Sequence, residues 1–213
     1  TKGNPVREEM EEAAKIIGLD FIVNTVMNDK NEIVKVVAGN PAKAHRTGVE
    51  ICKKIYGVKI PEKADIVIAS SHPMDISFYQ ASKTLEAVGH IIKDNSTIIM
   101  VSPCYEGVGG NNFLDYLKEK TPEDIIKSIK IHKERNVVEG VISYLITKCK
   151  EKAKIYLVSE GMHDKDIIEM GMFPAKSAQF VLDNILPKYG DKAKILVLPT
   201  ASITLPILEE VEN

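Results

Sequence analysis

The sequence predicts an α/β protein: a doubly wound, mostly parallel, Rossmann-like sheet with flanking helices, preceded by a small helix–hairpin–helix element. Three observations carry this prediction. Short, continuously apolar runs recur at Ile66–Ala69, Thr97–Val101, Ile155–Val158 and Ile195–Leu198, the pattern of strands covered on both faces, as in parallel sheets. Helical stretches lie between those runs, and alternating β and α elements wind by right-handed crossovers. Residues 1–57 have a different rhythm, so a domain boundary is expected after residue 57, with the Rossmann-like domain over 58–213.

Taken in order, Asn4-Pro5-Val6-Arg7-Glu8 opens a helix: an asparagine cap, proline at the first helical position, then acids in the first turn. Gly18 ends it. Phe21–Val26 and Ile33–Val37 flank Asn28-Asp29-Lys30-Asn31, two β-branched runs around a turn, hence a hairpin. A second helix is expected from Pro41 to Tyr56, stopped by Gly57. This first element is too small to bury a core and needs something to pack against. In the larger domain, helices are expected at Asp75–Ile92, Phe113–Lys120, Pro122–Arg135, Val137–Lys150 and Ala175–Leu186.

Composition narrows the function classes. The 213 residues are 44% hydrophobic and 27% charged with a net charge of −2, ordinary values for a globular chain. Trp is absent and no basic cluster is interleaved with aromatics, which argues against nucleic-acid binding. No apolar run approaches the ~20 residues of a membrane-spanning helix. Cys52, Cys104 and Cys149 stand far apart; an odd, sparse set fits a reducing, cytoplasmic setting better than a disulfide framework. The chain opens Thr1-Lys2-Gly3 without a methionine, as a chain can after processing or as a piece of a longer protein.

The chemistry concentrates where strands end. Directly after the first buried run comes Ser70-Ser71-His72-Pro73-Met74-Asp75, then Tyr79, Gln80 and Lys83. The i, i+4 spacing puts the Tyr79 phenol and the Lys83 ammonium on one helical face, near the strand end where open α/β sheets bind small ligands. With Pro73 at the first helical position, the Ser71 hydroxyl and free helix N–H groups could receive an anion, Gln80 adding a donor and an acceptor. The second strand runs into Cys104-Tyr105-Glu106-Gly107-Val108-Gly109-Gly110, a loop whose glycines permit close backbone approach to a ligand. Its spacing is not the G-x-G-x-x-G fingerprint, and no phosphate-loop Gly-Lys-Ser/Thr occurs. His45, His72, His90, His132 and His163 lack any metal-ligand spacing, although His72 and His163 both follow strands and could meet at one rim.

These residues resemble the nickel-dependent lactate racemase family in its second half. The similarity is carried by Gly3-Asn4-Pro5-Val6-Arg7 with Asp20–Asn24, by Ala38-Gly39-Asn40-Pro41 with Ala44-His45, and by Pro73, Asp75, Tyr79-Gln80-x-x-Lys83 followed by Glu106-Gly107. The resemblance implies racemisation or epimerisation of a small 2-hydroxy acid. It implies hydride abstraction and return at a nickel pincer nucleotide, held by a lysine and histidines of an N-terminal catalytic domain absent from this chain. It places Tyr79, Gln80 and Lys83 at the substrate carboxylate or cofactor, with Lys83 supplying charge. Joined to the reading of the strand ends, this makes Lys83 the catalytic candidate, Tyr79, Gln80, Lys83, Ser71 and His72 the substrate-binding candidates and Gly107 and Gly109 the cofactor-binding candidates, with no metal ligand expected in this chain. Ser70-Ser71-His72 stands where the family usually has a glycine pair, which implies a substrate of altered size or type. A C-terminal portion, inactive alone, is the resulting expectation. The competing reading is a stand-alone Rossmann-like module that binds an organic acid or phosphate without chemistry.

Overall fold

The computed structural model describes residues 3–209. The chain divides into two compact units, Thr1–Gly57 and Val58–Asn213.

In the first unit, helix α1 (Pro5–Ile16) starts where Asn4 Oδ1 accepts from Arg7 N at 3.2 Å. Strands β1 (Ile22–Met27) and β2 (Ile33–Gly39) pair antiparallel, with Val23 opposite Ala38 and Thr25 opposite Val36. Helix α2 (Pro41–Tyr56) is capped in the same manner, Asn40 Oδ1 accepting from Lys43 N at 3.2 Å. Val26 and Val37 are buried on the hairpin face that meets α2. Gly48 of α2 faces these two valines, and a Cβ there would stand 3.5 Å from Val37 and 3.8 Å from Val26, in ordinary van der Waals contact.

The second unit carries a five-stranded sheet in the order β7-β6-β5-β4-β8. Its strands are β4 (Ala64–Ser70), β5 (Ile92–Val101), β6 (Ala153–Val158), β7 (Phe173–Pro174) and β8 (Ile195–Leu198), and each neighbouring pair runs parallel. This is the doubly wound architecture expected from the sequence. Both faces are covered, which explains the unbroken apolar runs. Val67, Ala69, Ile98, Met100, Ile155 and Leu157 join the larger core. The alternate residues Ile66 and Ile99, with Ile68, Tyr156 and Val158, meet Val181 and Ile185 of α9 (Ala178–Tyr189) on the other face. Helices α5 (Phe113–Leu117), α6 (Pro122–Ile131), α7 (Val137–Lys152) and α8 (Asp164–Glu169) complete the layers. Strands β3 (Gly57–Ile60) and β9 (Leu205–Leu208) form a separate two-stranded ribbon that no sequence pattern had indicated.

One expected helix is different. The stretch Asp75–Ile92 contains two short helices, α3 (Phe78–Ala81) and α4 (Lys83–Val88), and Ile92 already belongs to β5. Residues 75–77 stay outside the helix because the carbonyls of Asp75 and Ile76 are taken by the neighbouring loop: Cys104 N donates to Asp75 O at 2.9 Å and Glu106 N to Ile76 O at 2.9 Å. The break at Ser82 also has a local cause. Its hydroxyl donates to Tyr79 O at 2.8 Å, competing for a carbonyl that a continuous helix would use.

Candidate functional site

The site candidate is the rim at the carboxyl edge of the parallel sheet. The order in which strands are added reverses at β4, since β5 lies on one side of it and β8 on the other; a crevice outside the strand ends at such a switch point is where open α/β sheets take ligands. The loops there are joined through their main chains. Phe78 N donates to Gly107 O at 2.9 Å and Tyr79 N to Val108 O at 2.8 Å, in addition to the two bonds that hold residues 75 and 76. Beyond β6, Gly161 N donates to Pro103 O at 2.8 Å and Ser159 Oγ to the same carbonyl at 2.7 Å. The turn after β8 adds Ser202 Oγ on His72 O at 3.0 Å.

Glycines sit where this lacing leaves no room. A Cβ on Gly161 would collide with the backbone carbonyl of Cys104 and approach Tyr105 Cα to 2.5 Å. Gly109, at φ +70°, would bring a Cβ to 2.8 Å from Ser77 Oγ and 3.2 Å from the Tyr79 Cβ. The loop's far end is tied down by Glu139 of α7, which is 3% exposed. Its two carboxylate oxygens accept from Asn111 N at 3.0 Å and Asn112 N at 2.7 Å. Nothing in the sequence pattern singled out Glu139; a buried acid two loops away in the chain has no local signature.

The expected site residues fall in different environments. Gln80 and Lys83 come together: Lys83 is exposed and its Nζ donates to Gln80 Oε1 at 2.8 Å. Tyr79 is half-buried, bound through its backbone to the glycine loop, and its ring meets Phe113 edge-on with centroids 5.1 Å apart. His72 is exposed on the rim, with Nδ1 3.4 Å from Asp75 Oδ2. Asp75 was thus missed as a partner of His72; its signal was the i, i+3 spacing. His163 is exposed at the start of α8 without a side-chain cap bond.

Ser71, Gly107 and Gly109 serve the chain itself. Ser71 is fully buried, with its N–H on Val101 O at 3.1 Å and its hydroxyl on the same carbonyl at 3.4 Å, so it shapes the turn instead of presenting an anion donor. The first two N–H groups of α3, those of Phe78 and Tyr79, are likewise occupied, by the carbonyls of Gly107 and Val108. The glycines at 107 and 109 both hold positive φ, and Gly109 also packs closely on Ser77 and Tyr79. Cys104 is buried; burial pushes its thiol pKa up, and its Sγ donates to Ser102 Oγ at 3.1 Å. That is the environment of an inert thiol.

In the first unit, residues of the two other motif stretches line a common cavity of about 240 Å³ beside α1, β1 and α2, among them Arg7, Asn40 and His45. His45 Nδ1 is buried without a hydrogen-bond partner among the described residues, and burial, followed by the Arg7 charge, lowers the imidazole pKa.

Fold and rim together define a doubly wound α/β domain that gathers a lysine, an amide, a phenol and an imidazole at the carboxyl ends of parallel strands. Residues 59–204 match the family model described as the lactate racemase C-terminal domain, and the chain belongs to that family. It is 30% identical over 202 residues to the lactate racemase of Thermoanaerobacterium thermosaccharolyticum, covering 93% of this chain and 47% of that protein. To the lactate racemase of Lactiplantibacillus plantarum it is 26% identical over 200 residues, covering 92% and 47%. The structure of the lactate racemase apoprotein from T. thermosaccharolyticum superposes with a TM-score of 0.85 at 29% identity, over 98% of this chain and 50% of that one. A Thermotoga maritima protein shares the fold at a TM-score of 0.66 and 11% identity, over 97% and 54%. The chain therefore spans about half the length of the curated relatives it matches.

Proposed function

We propose that this chain is the C-terminal half of a racemase that acts on a small 2-hydroxy acid, lactate or a close relative. The observation that carries the reading is the Tyr79-Gln80-x-x-Lys83 segment, fastened to the glycine loop at the switch-point edge with its ammonium in solvent, in a chain of the lactate racemase family. Lys83 receives the substrate carboxylate by a charge-assisted hydrogen bond. Gln80 Oε1 holds the ammonium in place, and the Tyr79 hydroxyl donates to substrate oxygen. His72, paired with Asp75, borders the same rim and sets the space available to the substrate's third substituent.

The nickel pincer nucleotide implied by the family supplies hydride chemistry at the substrate α-carbon when bound. Among the described residues no group of three or more His, Cys, Asp or Glu side chains is placed to hold a metal ion by itself. That task is assigned to the N-terminal catalytic domain, and the role of this chain is to bind and orient the acid. No helix of the described residues is long and apolar enough to cross a membrane. Three free cysteines, two of them buried, support a reducing cytoplasmic setting.

The test uses the nickel-loaded full-length gene product, following interconversion of the enantiomers of lactate and larger 2-hydroxy acids by chiral separation. Lys83→Ala is expected to lower kcat/KM about 10–100-fold, the loss of one hydrogen bond to a charged group. Unchanged racemisation by Lys83→Ala would remove the site assignment. Failure of the wild-type enzyme to racemise any of these acids would remove the reading itself.

A further inference from the structure

We infer that the outer face of the β1–β2 hairpin is an internal docking surface, covered in the full-length protein by the polypeptide that precedes this chain. The inference rests on the reading of the chain as the C-terminal half of a two-part racemase. The hairpin has two faces. One carries Val26 and Val37, 4% and 7% exposed, against α2. The other carries Val23, Thr25, Val36 and Ala38, placed opposite one another by the register. All four are exposed, Val23 by 63% and Val36 by 52%. An apolar sheet face of this kind must be covered by another layer, and a two-stranded ribbon is marginal by itself. Helix α1 shows the same incompleteness: it has no buried residue, and Val6 and Met10 are 65% and 57% exposed.

Three facts select the occupant. The family match begins at residue 59, so the hairpin unit lies outside the C-terminal domain. The alignments to the two lactate racemases nevertheless cover 93% and 92% of the chain, so those relatives possess the unit too. In each, about as much sequence again remains unmatched, since only 47% of the relative is covered. A unit that these proteins share, that their C-terminal domain excludes, and that bares one apolar face fits the last part of the N-terminal domain. The missing layer is then that domain's own.

Thiol labelling tests this without reference to activity, so failure of the racemase reading and failure of the docking face are told apart. In a Cys52→Ser background, Val23→Cys and Val36→Cys are introduced singly into the full-length protein and into the 213-residue chain. A third variant, Ile131→Cys, reports an exposed position of the other unit (72% exposed). In the 213-residue chain all three are expected to react with a maleimide at similar rates. In the full-length protein, positions 23 and 36 are expected to react about 100-fold more slowly than position 131, as for groups that need local opening. Equal rates in the full-length protein would overturn the inference. So would slow labelling already present in the 213-residue chain, which would mean that the chain covers the face itself. Protection that disappears on dilution would assign the face to a second copy and overturn it equally.

Discussion

The two units of this chain are built from similar elements and differ in what those elements can bury. In the second unit, strands β4, β5 and β6 give alternate residues to two cores, and Phe78, Phe113 and Tyr116 are at most 1% exposed. In the first, burial is confined to a few small or β-branched residues between hairpin and α2, while Phe21, Ile16 and Ile17 stand 61%, 79% and 77% exposed. A helix–hairpin–helix with good caps and correct register is thus locally well specified yet lacks a hydrophobic interior. Local signals decide which elements form; the number of covered faces decides whether they are stable.

The sharpest test of that difference is a matched pair of truncations. Phe78→Ala should destabilise the chain by about 3–5 kcal/mol, the usual cost of removing a buried aromatic, whereas Phe21→Ala should stay within about 0.5 kcal/mol. Urea denaturation of both variants measures this, and similar losses would erase the contrast. Next come the two carboxylates. Glu139→Ala removes the acceptor of two loop N–H groups from a buried position and should cost about 2–3 kcal/mol. Glu11, which pairs with Arg7 at 3.3 Å and Arg46 at 2.7 Å at the edge of α1, should cost about 0.5–1 kcal/mol when replaced by alanine.

Smaller effects follow pH. Burial pulls the Lys150 ammonium down to about 8 while its Nζ caps Met170 O at 2.9 Å. The folded lysine therefore releases its proton before the unfolded one does. Between about pH 8 and 10 the unfolded chain holds more protons, and stability rises with pH. Relative to Lys150→Met, the wild-type chain should gain about 1–2 kcal/mol between pH 7 and pH 9.5 in urea titrations; a parallel pair of profiles would contradict this. The weakest effect belongs to the first unit. The His45 pKa is lowered by burial and by Arg7, so its neutral form favours folding and stability falls as pH drops through the imidazole range. His45→Asn should flatten that fall, read by hydrogen exchange of α2 amides.

Much of this architecture was legible in the sequence because its cues are short-range. Asn-Pro at 4–5 and 40–41, Thr-Pro at 121–122 and the apolar quartet Ile195–Leu198 each mark an element whose observed start lies at or beside the marked residue. The misreading at Pro73 has the opposite origin. The proline and the acid after it look like a helix start, but residues 75–79 are claimed by the backbone of 104–108, an interaction across a whole helix and strand. The same distance hides Glu139 and the β3–β9 pairing. At the rim, the i, i+4 spacing of Tyr79 and Lys83 was legible, but the contact that forms is Lys83 Nζ on Gln80 Oε1, because the helix breaks at Ser82 between them. The burial of Ser71 was not legible, since it depends on Val101 of the adjacent strand.

The rim's cohesion comes from peptide groups, and peptide groups are the same whatever side chain they carry. Bonds from Cys104, Glu106, Phe78, Tyr79 and Gly161 nitrogens hold the loops in place, leaving the outward side chains at 72, 105 and 106 without a scaffolding duty. Such a frame can exchange its lining residue by residue and keep its shape. Substitutions at those three positions are therefore expected to leave the loop frame in place.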